Sequence, residues 1–237
     1  MKSKSKFLYI IITLILLFSL SLSSCDILFD RSTSYSHIPD SILDSIPDFD
    51  GKSPFVVINN NRPFFSEDEI TDKPFESYGE RDGLGRCGTC VACIGVDIMP
   101  VGERDDISHI DPTGWINAKY DFVPDGYVYN RCHLIGFQLT GESSNRENLI
   151  TGTRFMNIDG MLPFENMVAE YVRKTNNHVM YRVTPIFKGD NLVASGVIME
   201  AWSVEDSGSG ICFNVYVYNC QPGVEINYAT GETHPTK

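Results

Sequence analysis

The chain has 237 residues, of which 42% are hydrophobic and 11% aromatic, enough apolar material for one substantial core. Near-average glycine and proline contents argue against a collagen-like chain and against wholesale disorder. The formal net charge of −12 excludes the broadly basic surface of most nucleic-acid-binding proteins, so any phosphate site must be a local cationic pocket in an acidic body.

The N-terminus has the pattern of an export signal. Three lysines precede an apolar run over residues 7–22, which ends in small residues and Cys25. The run is shorter than the roughly 20 apolar residues that span a bilayer, although a spanning helix remains the alternative. Residues 22–25 resemble the lipobox of bacterial lipoproteins, which implies a signal peptide over residues 1–24 and acylation of Cys25. Removal of three lysines would take the net charge from −12 to −15. The chain is therefore predicted to be exported and lipid-anchored to the bacterial cell envelope.

The region after the lipidation site reads as a tether. Residues 25–50 are rich in Ser, Asp, Ile and Pro without a sustained period, apart from one short helical turn around Ile42 to Ile46. The folded domain is predicted over residues 51–237. Its first strand is the apolar run from Phe55 to Ile58, which three asparagines follow as a loop signal.

Residues 66–114 are acidic and glycine-rich, and they predict loops. Within them lies the spacing Cys87-x-x-Cys90-x-x-Cys93, which could hold zinc or an iron–sulfur cluster, but a fourth ligand is missing. In an exported chain, disulfides or buried thiols are the alternatives. The six cysteines outside the lipobox permit fifteen pairings, among which the sequence does not choose.

More regular patterns follow Trp115. The β-prone run Tyr127 to Tyr129 predicts that His133 stands at or just beyond the end of a strand. A helix is predicted from Leu162 to about Lys174, because an apolar stripe recurs at i, i+3 and i+4 and a proline occupies its first turn.

The last third of the chain alternates in the manner of β-strands. Val179, Tyr181 and Val183 share one predicted face, and Arg182 lies on the other, polar face. Two further strands are predicted at 192–202 and 211–218, with a turn between them. The expected fold class is α+β, a central antiparallel sheet with flanking helices.

His133 has neighbours that suit phosphodiester cleavage, although a lone histidine is more often structural. Arg131 could clamp a phosphate through its planar fork. His133 could take a proton from water near neutral pH. Asn148 and Asn157 offer neutral oxygens, the ligand type that Mg²⁺ prefers. A base, a positive clamp and a Lewis acid are the minimum set for cutting a phosphodiester.

The run Asn130-Arg131-Cys132-His133 resembles the Asp-Arg-Gly-His signature of the DNA/RNA non-specific endonucleases, the superfamily with a ββα-metal finger that includes the Serratia-type nuclease. Asn148 and Asn157 keep the nine-residue spacing of the two asparagines that follow that signature. The resemblance is strongest to the streptococcal DNA-entry nuclease branch and extends from about Pro54 to Thr233.

The resemblance implies a role for each matching residue. His133 would be the general base, and Asn157 the direct ligand of Mg²⁺, with Mn²⁺ as the alternative ion and waters in the other positions. Arg131, Asn148 and Glu165 would complete the catalytic group. Arg131 would contact phosphate, Asn148 would brace the site, and Glu165, on the helix, would be linked to the water shell of the metal. The alternative for Glu165 is a solvated surface acid.

Arg182 and Arg86 are the candidate substrate-binding arginines, and a surface ion pair is the alternative for both of them and for Arg131. Two residues depart from the signature, since Asn130 replaces aspartate and Cys132 replaces glycine. Cys132 beside His133 raises the alternative of a Cys/His nucleophile. Adjacent residues at a strand end point to opposite faces, which argues against that alternative.

The resemblance implies an endonuclease that hydrolyses DNA and RNA with little sequence preference, leaves 5′-phosphate ends and needs no obligate protein partner. Two other functions remain open: a surface nucleic-acid receptor without turnover, which the departures at Asn130 and Cys132 favour, and an adhesion or scaffolding lipoprotein, which the acidic charge favours.

Overall fold

The structure, a computed structural model, describes residues 38–236. Ten strands are assigned in this part of the chain: β1 Phe55–Val57, β2 Phe75–Tyr78, β3 Cys90–Ile94, β4 Tyr129–His133, β5 Leu149–Thr153, β6 Val179–Ile186, β7 Gly196–Ser203, β8 Cys212–Tyr218, β9 Val224–Ile226 and β10 Thr233–Pro235. Six of them form an antiparallel sheet in the order β1-β8-β7-β6-β3-β2, while β4–β5 and β9–β10 form two separate antiparallel pairs.

Three α-helices accompany the strands: α1 Asp40–Asp44, α2 Phe137–Thr140 and α3 Leu162–Thr175. A π-helical segment, Phe155–Met161, leads directly into α3. Pro163 lies in the first turn of α3, and the helix ends at Asn176, whose φ of 58° is left-handed. The predicted α+β class with a central antiparallel sheet is confirmed, and so is the predicted helix.

One face of the central sheet carries the main core. Val179, Tyr181 and Val183 of β6 point into it, as their alternation predicts, and the buried side of α3 packs against the same face. Cys132 of β4 and Met156 of the π-helical segment complete this cluster. The β4–β5 pair, which carries His133, is therefore fixed to the sheet through a shared apolar core.

The opposite face of the sheet is also covered, and this corrects part of the predicted tether. Ile38, Ile42 and Phe49 pack against side chains of β7 and β8. The Tyr218 hydroxyl donates to the Pro47 carbonyl at 2.8 Å. Residues 38–50 are therefore part of the folded unit, which was predicted to begin at 51, because the isoleucines of this segment cover the apolar outer face of the sheet.

Strand β3 was missed, and its position explains the three cysteines. Cys90 faces the main core, whereas Cys93, an odd number of residues away, faces the other side of the sheet. Cys87 donates to the Leu149 carbonyl at 3.2 Å. Side chains on opposite faces of a strand cannot share one ion, so this spacing is not a metal site. All six cysteines within residues 38–236 are free thiols.

Arg182 is placed as the alternation predicts, on the face of β6 away from the main core, but that face is not solvated. The side chain is only 1% exposed. It donates to Glu200 at 2.7 Å and to Glu69 at 3.1 Å, and the Phe65 ring lies 4.6 Å from its guanidinium carbon. The predicted substrate-binding role is corrected to a buried ion pair, because both partners and the covering ring withdraw Arg182 from any substrate.

We expect Arg182→Ala to lower the free energy of unfolding by about 3–5 kcal/mol, because it leaves the fully buried Glu200 carboxylate without a counter-charge. The measurement is equilibrium unfolding in urea. Arg182→Met combined with Glu200→Leu is the control, since an apolar pair of similar volume removes both charges and should restore most of the loss. Equal destabilisation by the single and double variants would contradict this account.

The predicted signal peptide over 1–24, the lipidation of Cys25 and the tether before residue 38 lie outside the described residues. Within residues 38–236, none of the helices has the length and apolar character needed to cross a bilayer.

Candidate active site

The candidate site is an open cleft of about 680 Å³ beside β4. The loop before β4, the strand itself and the π-helical segment supply its walls. Its lining includes Arg104, Trp115, Asn130, Arg131 and Asn157. The cleft therefore brings two predicted site residues, Arg131 and Asn157, to one surface, and Arg104 joins them.

His133, the last residue of β4, does not itself line this cleft, but it is held in a fixed orientation against Arg104, which does. Its Nε2 lies 2.8 Å from the Ser143 carbonyl, and its Nδ1 lies 3.0 Å from Nη2 of Arg104. A carbonyl only accepts and a guanidinium only donates, so Nε2 carries the proton and Nδ1 is the acceptor. The lone pair of the predicted base is thus directed at the side chain of Arg104, which lines the cleft.

Burial lowers the pKa of His133 to about 4; the positive charge of Arg104 acts in the same direction, and the hydrogen bond to Ser143 opposes both. We expect the Hε1 NMR resonance of His133, identified by its loss in His133→Gln, to stay at its neutral position from pH 8 to about 5.5. A midpoint near the ordinary value of 6.5 would contradict the structure. Because folding lowers the pKa of His133, the neutral side chain contributes fully to the free energy of unfolding above pH 6.5. This contribution is lost as the pH falls towards 4.

Asn148 is fully buried and braces the segment after His133. Its Oδ1 accepts from the Ile135 amide at 2.8 Å, and its Nδ2 donates to the Ile135 carbonyl at 2.9 Å. The side chain thus mimics a strand partner for a backbone that has left the β4–β5 ladder. Asn148 does not line the cleft, and the bracing role that the resemblance implies for it stays a prediction.

Asn157 lies in the π-helical segment, a region that the sequence did not predict. Its Oδ1 accepts a hydrogen bond from the Cys132 thiol at 3.1 Å. The Cys132 side chain is fully buried, and Gly152 of the facing strand leaves room for it: a Cβ at position 152 would lie 2.6 Å from the Cβ of Cys132. The hydrogen bond from this buried thiol orients the Asn157 side chain. Burial also raises the pKa of the Cys132 thiol, which disfavours the nucleophilic thiolate, so the alternative of a Cys/His nucleophile loses support.

Glu165, in the first turn of α3, points inward rather than to solvent. Its side chain is buried and packs against Gly136, where a Cβ would lie 2.6 Å from Oε2. Burial raises its pKa to about 7, while a hydrogen bond from Gln138 and the charge of Arg104 act to lower it. The alternative of a solvated surface acid is excluded by this burial.

Arg131 is more constrained than the predicted phosphate clamp. Its Nε donates to the Ile110 carbonyl, and its Nη2 lies 2.7 Å from the Ser108 carbonyl and 2.9 Å from Asp111. Its guanidinium carbon also lies 4.3 Å from the centre of the Trp115 ring. Most of its donors therefore hold the loop that carries Arg104, although the side chain lines the cleft.

Arg86 is not brought to the cleft. Its Nε donates to Asp82 at 2.7 Å, its Nη1 donates to the Gly189 carbonyl at 2.6 Å, and its guanidinium lies 4.8 Å from the Phe187 ring. The predicted substrate-binding role is corrected, because these contacts join two loops elsewhere. Arg182 is excluded by its burial on the far side of the sheet.

Arg104 is the site residue that the sequence did not reveal. It lies between acidic residues in a loop, 29 positions before His133, and no motif or periodicity marks it. Arg104 contacts His133 directly, and its positive charge also acts to lower the pKa of the Cys132 thiol and of the Glu165 carboxyl. This is the local positive charge that an acidic chain needs at a phosphate site.

The donor set fits a hard divalent cation that keeps most of its waters. In the cleft lining, Asn157 offers an amide oxygen and Asn130 a buried Oδ1 that has no hydrogen-bond partner within residues 38–236. That same region holds no group of three or more His, Cys, Asp or Glu side chains able to bind a metal. Any ion must then rely on few protein oxygens and on water, as Mg²⁺ commonly does.

Comparisons with known proteins give a family and a fold for this chain. A family model described as DNA/RNA non-specific endonuclease matches residues 67–205, more than half of the chain. The structure of NucA from Streptococcus agalactiae with a magnesium ion bound has a TM-score of 0.71 and 26% identity, covering 83% of this chain and 93% of that one. The Sda1 nuclease with a bound zinc ion has a TM-score of 0.61 and 28% identity, covering 68% and 81% of the two chains.

Proposed function

The chain belongs to the DNA/RNA non-specific endonuclease family, and from that premise we propose that it is a metal-dependent enzyme that uses His133 as its general base. The observation that carries the proposal is the fixed orientation of His133, whose neutral imidazole directs an unprotonated Nδ1 at a group that lines the cleft. At neutral pH this imidazole is unprotonated, so Nδ1 keeps the lone pair that a general base needs.

In the proposed reaction, Nδ1 of His133 takes one proton from a water molecule while the water oxygen attacks phosphorus. The bond from phosphorus to the 3′ oxygen breaks, and that oxygen leaves as a hydroxyl after it gains a proton from solvent. The products are a 3′-hydroxyl and a 5′-phosphate. The Ser143 carbonyl, 2.8 Å from Nε2, stabilises the imidazolium as it forms.

Asn157 would hold the metal, and Glu165 and Asn130 would accept hydrogen bonds from its waters. The bound ion would supply Lewis acidity that stabilises charge on the phosphate and on the leaving oxygen. Mg²⁺ is the proposed ion and Mn²⁺ the alternative, because the available protein donors are oxygens. The magnesium ion in the NucA structure supports a divalent cation in this family, and the zinc ion in Sda1 leaves its identity open to measurement.

Arg104 would act on the substrate rather than on the base. A phosphodiester entering the cleft attracts the guanidinium, which then leaves Nδ1 of His133 free for water. We expect Arg104→Ala to lower kcat/KM by about 10²-fold, because one preorganised charge donor is lost. Steady-state kinetics on an oligonucleotide check this, with Arg62→Ala as the control arginine outside this cleft. An unchanged kcat/KM would exclude a substrate role.

The test of the activity is digestion of supercoiled plasmid and of a structured RNA by the purified protein. Cutting of both that stops with EDTA and returns with Mg²⁺ or Mn²⁺ is expected, as are ends that a ligase joins without prior phosphorylation. Binding of nucleic acid without any cutting would instead establish the receptor, and neither binding nor cutting would favour the adhesion lipoprotein.

We further propose that Cys25 is lipidated after removal of residues 1–24, which would place the enzyme on the envelope surface by its lipid alone. The sequence pattern supports this. Expression of Cys25→Ser in a bacterial host should release the enzyme from the membrane fraction without changing its specific activity. Retention of the variant on membranes would favour a spanning helix.

A further inference from the structure

Part of the cleft lining is made of aromatic residues. Trp115, Tyr127 and Tyr129 line it, and we call these three residues the aromatic wall. Tyr127 is 45% exposed, unlike most aromatic side chains in a folded protein of this kind. The cleft volume of about 680 Å³ lies in the range of small-molecule sites, roughly 300–1,000 Å³.

The aromatic wall is held rigidly. Asn117 accepts from the Tyr129 amide at 3.0 Å and donates to its carbonyl at 2.9 Å, which ties the loop before β4 to the strand. Lys119 and Tyr127 form an isolated antiparallel bridge in the same loop. A surface that is already ordered loses little conformational entropy when a ligand binds.

Two observations indicate that the wall recognises a ligand. The Tyr129 hydroxyl is buried and has no hydrogen-bond partner within residues 38–236, although its side chain is only 1% exposed. Cations also lie against the rings: the Lys119 ammonium is 4.2 Å from the centre of the Tyr127 ring, and Arg131 lies over Trp115. Tyr127 and Trp115 are the accessible rings, since Tyr129 is buried beneath them, and aromatic rings beside positive charge match the base and the phosphate of a nucleotide.

We propose that the aromatic wall is a base-stacking subsite that holds an unpaired nucleobase beside the scissile phosphate, so that single-stranded nucleic acid is bound in preference to duplex. This inference rests on the proposed function and names its preferred substrate form. The bases of a duplex are covered on both faces by their neighbours, so an aromatic side chain stacks only on a base that is splayed out.

The charge of the chain supports stacking as a source of affinity. With a net charge of −12, long-range attraction to phosphates contributes little outside the cleft. Stacking on an aromatic ring does not depend on net charge and tolerates every base. The subsite would therefore give this acidic enzyme affinity for nucleic acid without a preference for any base sequence.

The chain contains only two tryptophans, which makes the subsite directly measurable. Trp202→Phe leaves Trp115 as the single tryptophan reporter. With EDTA present to prevent cutting, we expect a 12-nucleotide single strand to quench Trp115 emission, and the matching duplex to bind on the order of tenfold more weakly. Tyr127→Ala should weaken single-strand binding by about the same factor, with an unchanged slope of log affinity against log salt concentration, because no phosphate contact is lost.

Phe122→Ala is the matched control, because Phe122 is an exposed aromatic of the same loop that does not line the cleft. If Trp202→Phe does not fold, a single strand carrying 2-aminopurine reads the same stacking from the ligand in the wild-type chain. Equal binding of strand and duplex, or equal effects of Tyr127→Ala and Phe122→Ala, would overturn the subsite. Plasmid digestion by the same preparations tests the proposed function separately, since cutting without stacking refutes only the subsite, and stacking without cutting refutes only the catalytic proposal.

Discussion

Replacing His133 with alanine is expected to lower kcat for plasmid cleavage by about 10²–10⁴-fold, with a much smaller effect on KM, because the base acts on the proton of water in the transition state. The measured quantity is the initial rate of supercoil loss at saturating Mg²⁺. Raising the metal concentration should not recover activity, since no metal contact is removed.

His178→Ala is the matched control for this experiment. His178 is likewise held by hydrogen bonding, in its case to Glu205 at 2.5 Å, but it lies outside the cleft, so its loss should leave the rate unchanged. Circular dichroism and the melting temperature must show that His133→Ala remains folded. A folded His133→Ala enzyme that retains the wild-type rate would rule out the proposed base.

Replacing Asn157 with alanine is expected to weaken binding of Mn²⁺ by about 100-fold or more, because loss of groups that merely orient metal ligands already costs about 10–100-fold. Titration calorimetry measures this directly, and the cleavage rate should follow it. Here, unlike at His133, higher metal concentrations should restore part of the activity, since the defect is in occupancy.

Asn157→Asp separates metal binding from packing. The aspartate keeps an oxygen at the same place and accepts a hydrogen bond from the Cys132 thiol as the amide does. Asn157→Asp should therefore bind Mn²⁺ much more tightly than Asn157→Ala does. Cys132→Ala tests the positioning role of the thiol and should lower metal affinity only modestly. Wild-type Mn²⁺ affinity in Asn157→Ala would show that the ion is held elsewhere.

The parts of the fold that the sequence predicted are those with a local signal. Helix α3 carries its own apolar stripe and a proline in its first turn, and β6 alternates along its whole length. Strand β3 was missed because both of its faces are buried, which removes the alternation that marks a half-exposed strand. The segment from residue 38 to 50 was assigned to the tether because its side chains pack against strands that are distant in sequence, and such contacts leave no local pattern.

The site shows the same division. His133, Asn148 and Asn157 are marked by the spacing of a signature, and their roles as base, brace and metal ligand stay predictions. Arg182 and Arg104 could not be sorted by sequence, since an arginine on a polar strand face and one in an acidic loop have equally little local pattern. Their roles depend on what covers each side chain: Glu200 and Phe65 enclose the first, while the second stands in the cleft.

The most direct measurement of the central claim is rescue of His133→Gly by imidazole added to the plasmid assay. The structure predicts that imidazole, free to enter the space that the side chain leaves, restores cleavage in proportion to its neutral form and only when Mg²⁺ or Mn²⁺ is present. The double variant His133→Gly, Asn157→Ala should show no such rescue. Rapid cleavage by His133→Gly without imidazole, or a folded, metal-binding variant that imidazole leaves inactive, would contradict the assignment of His133 as the base.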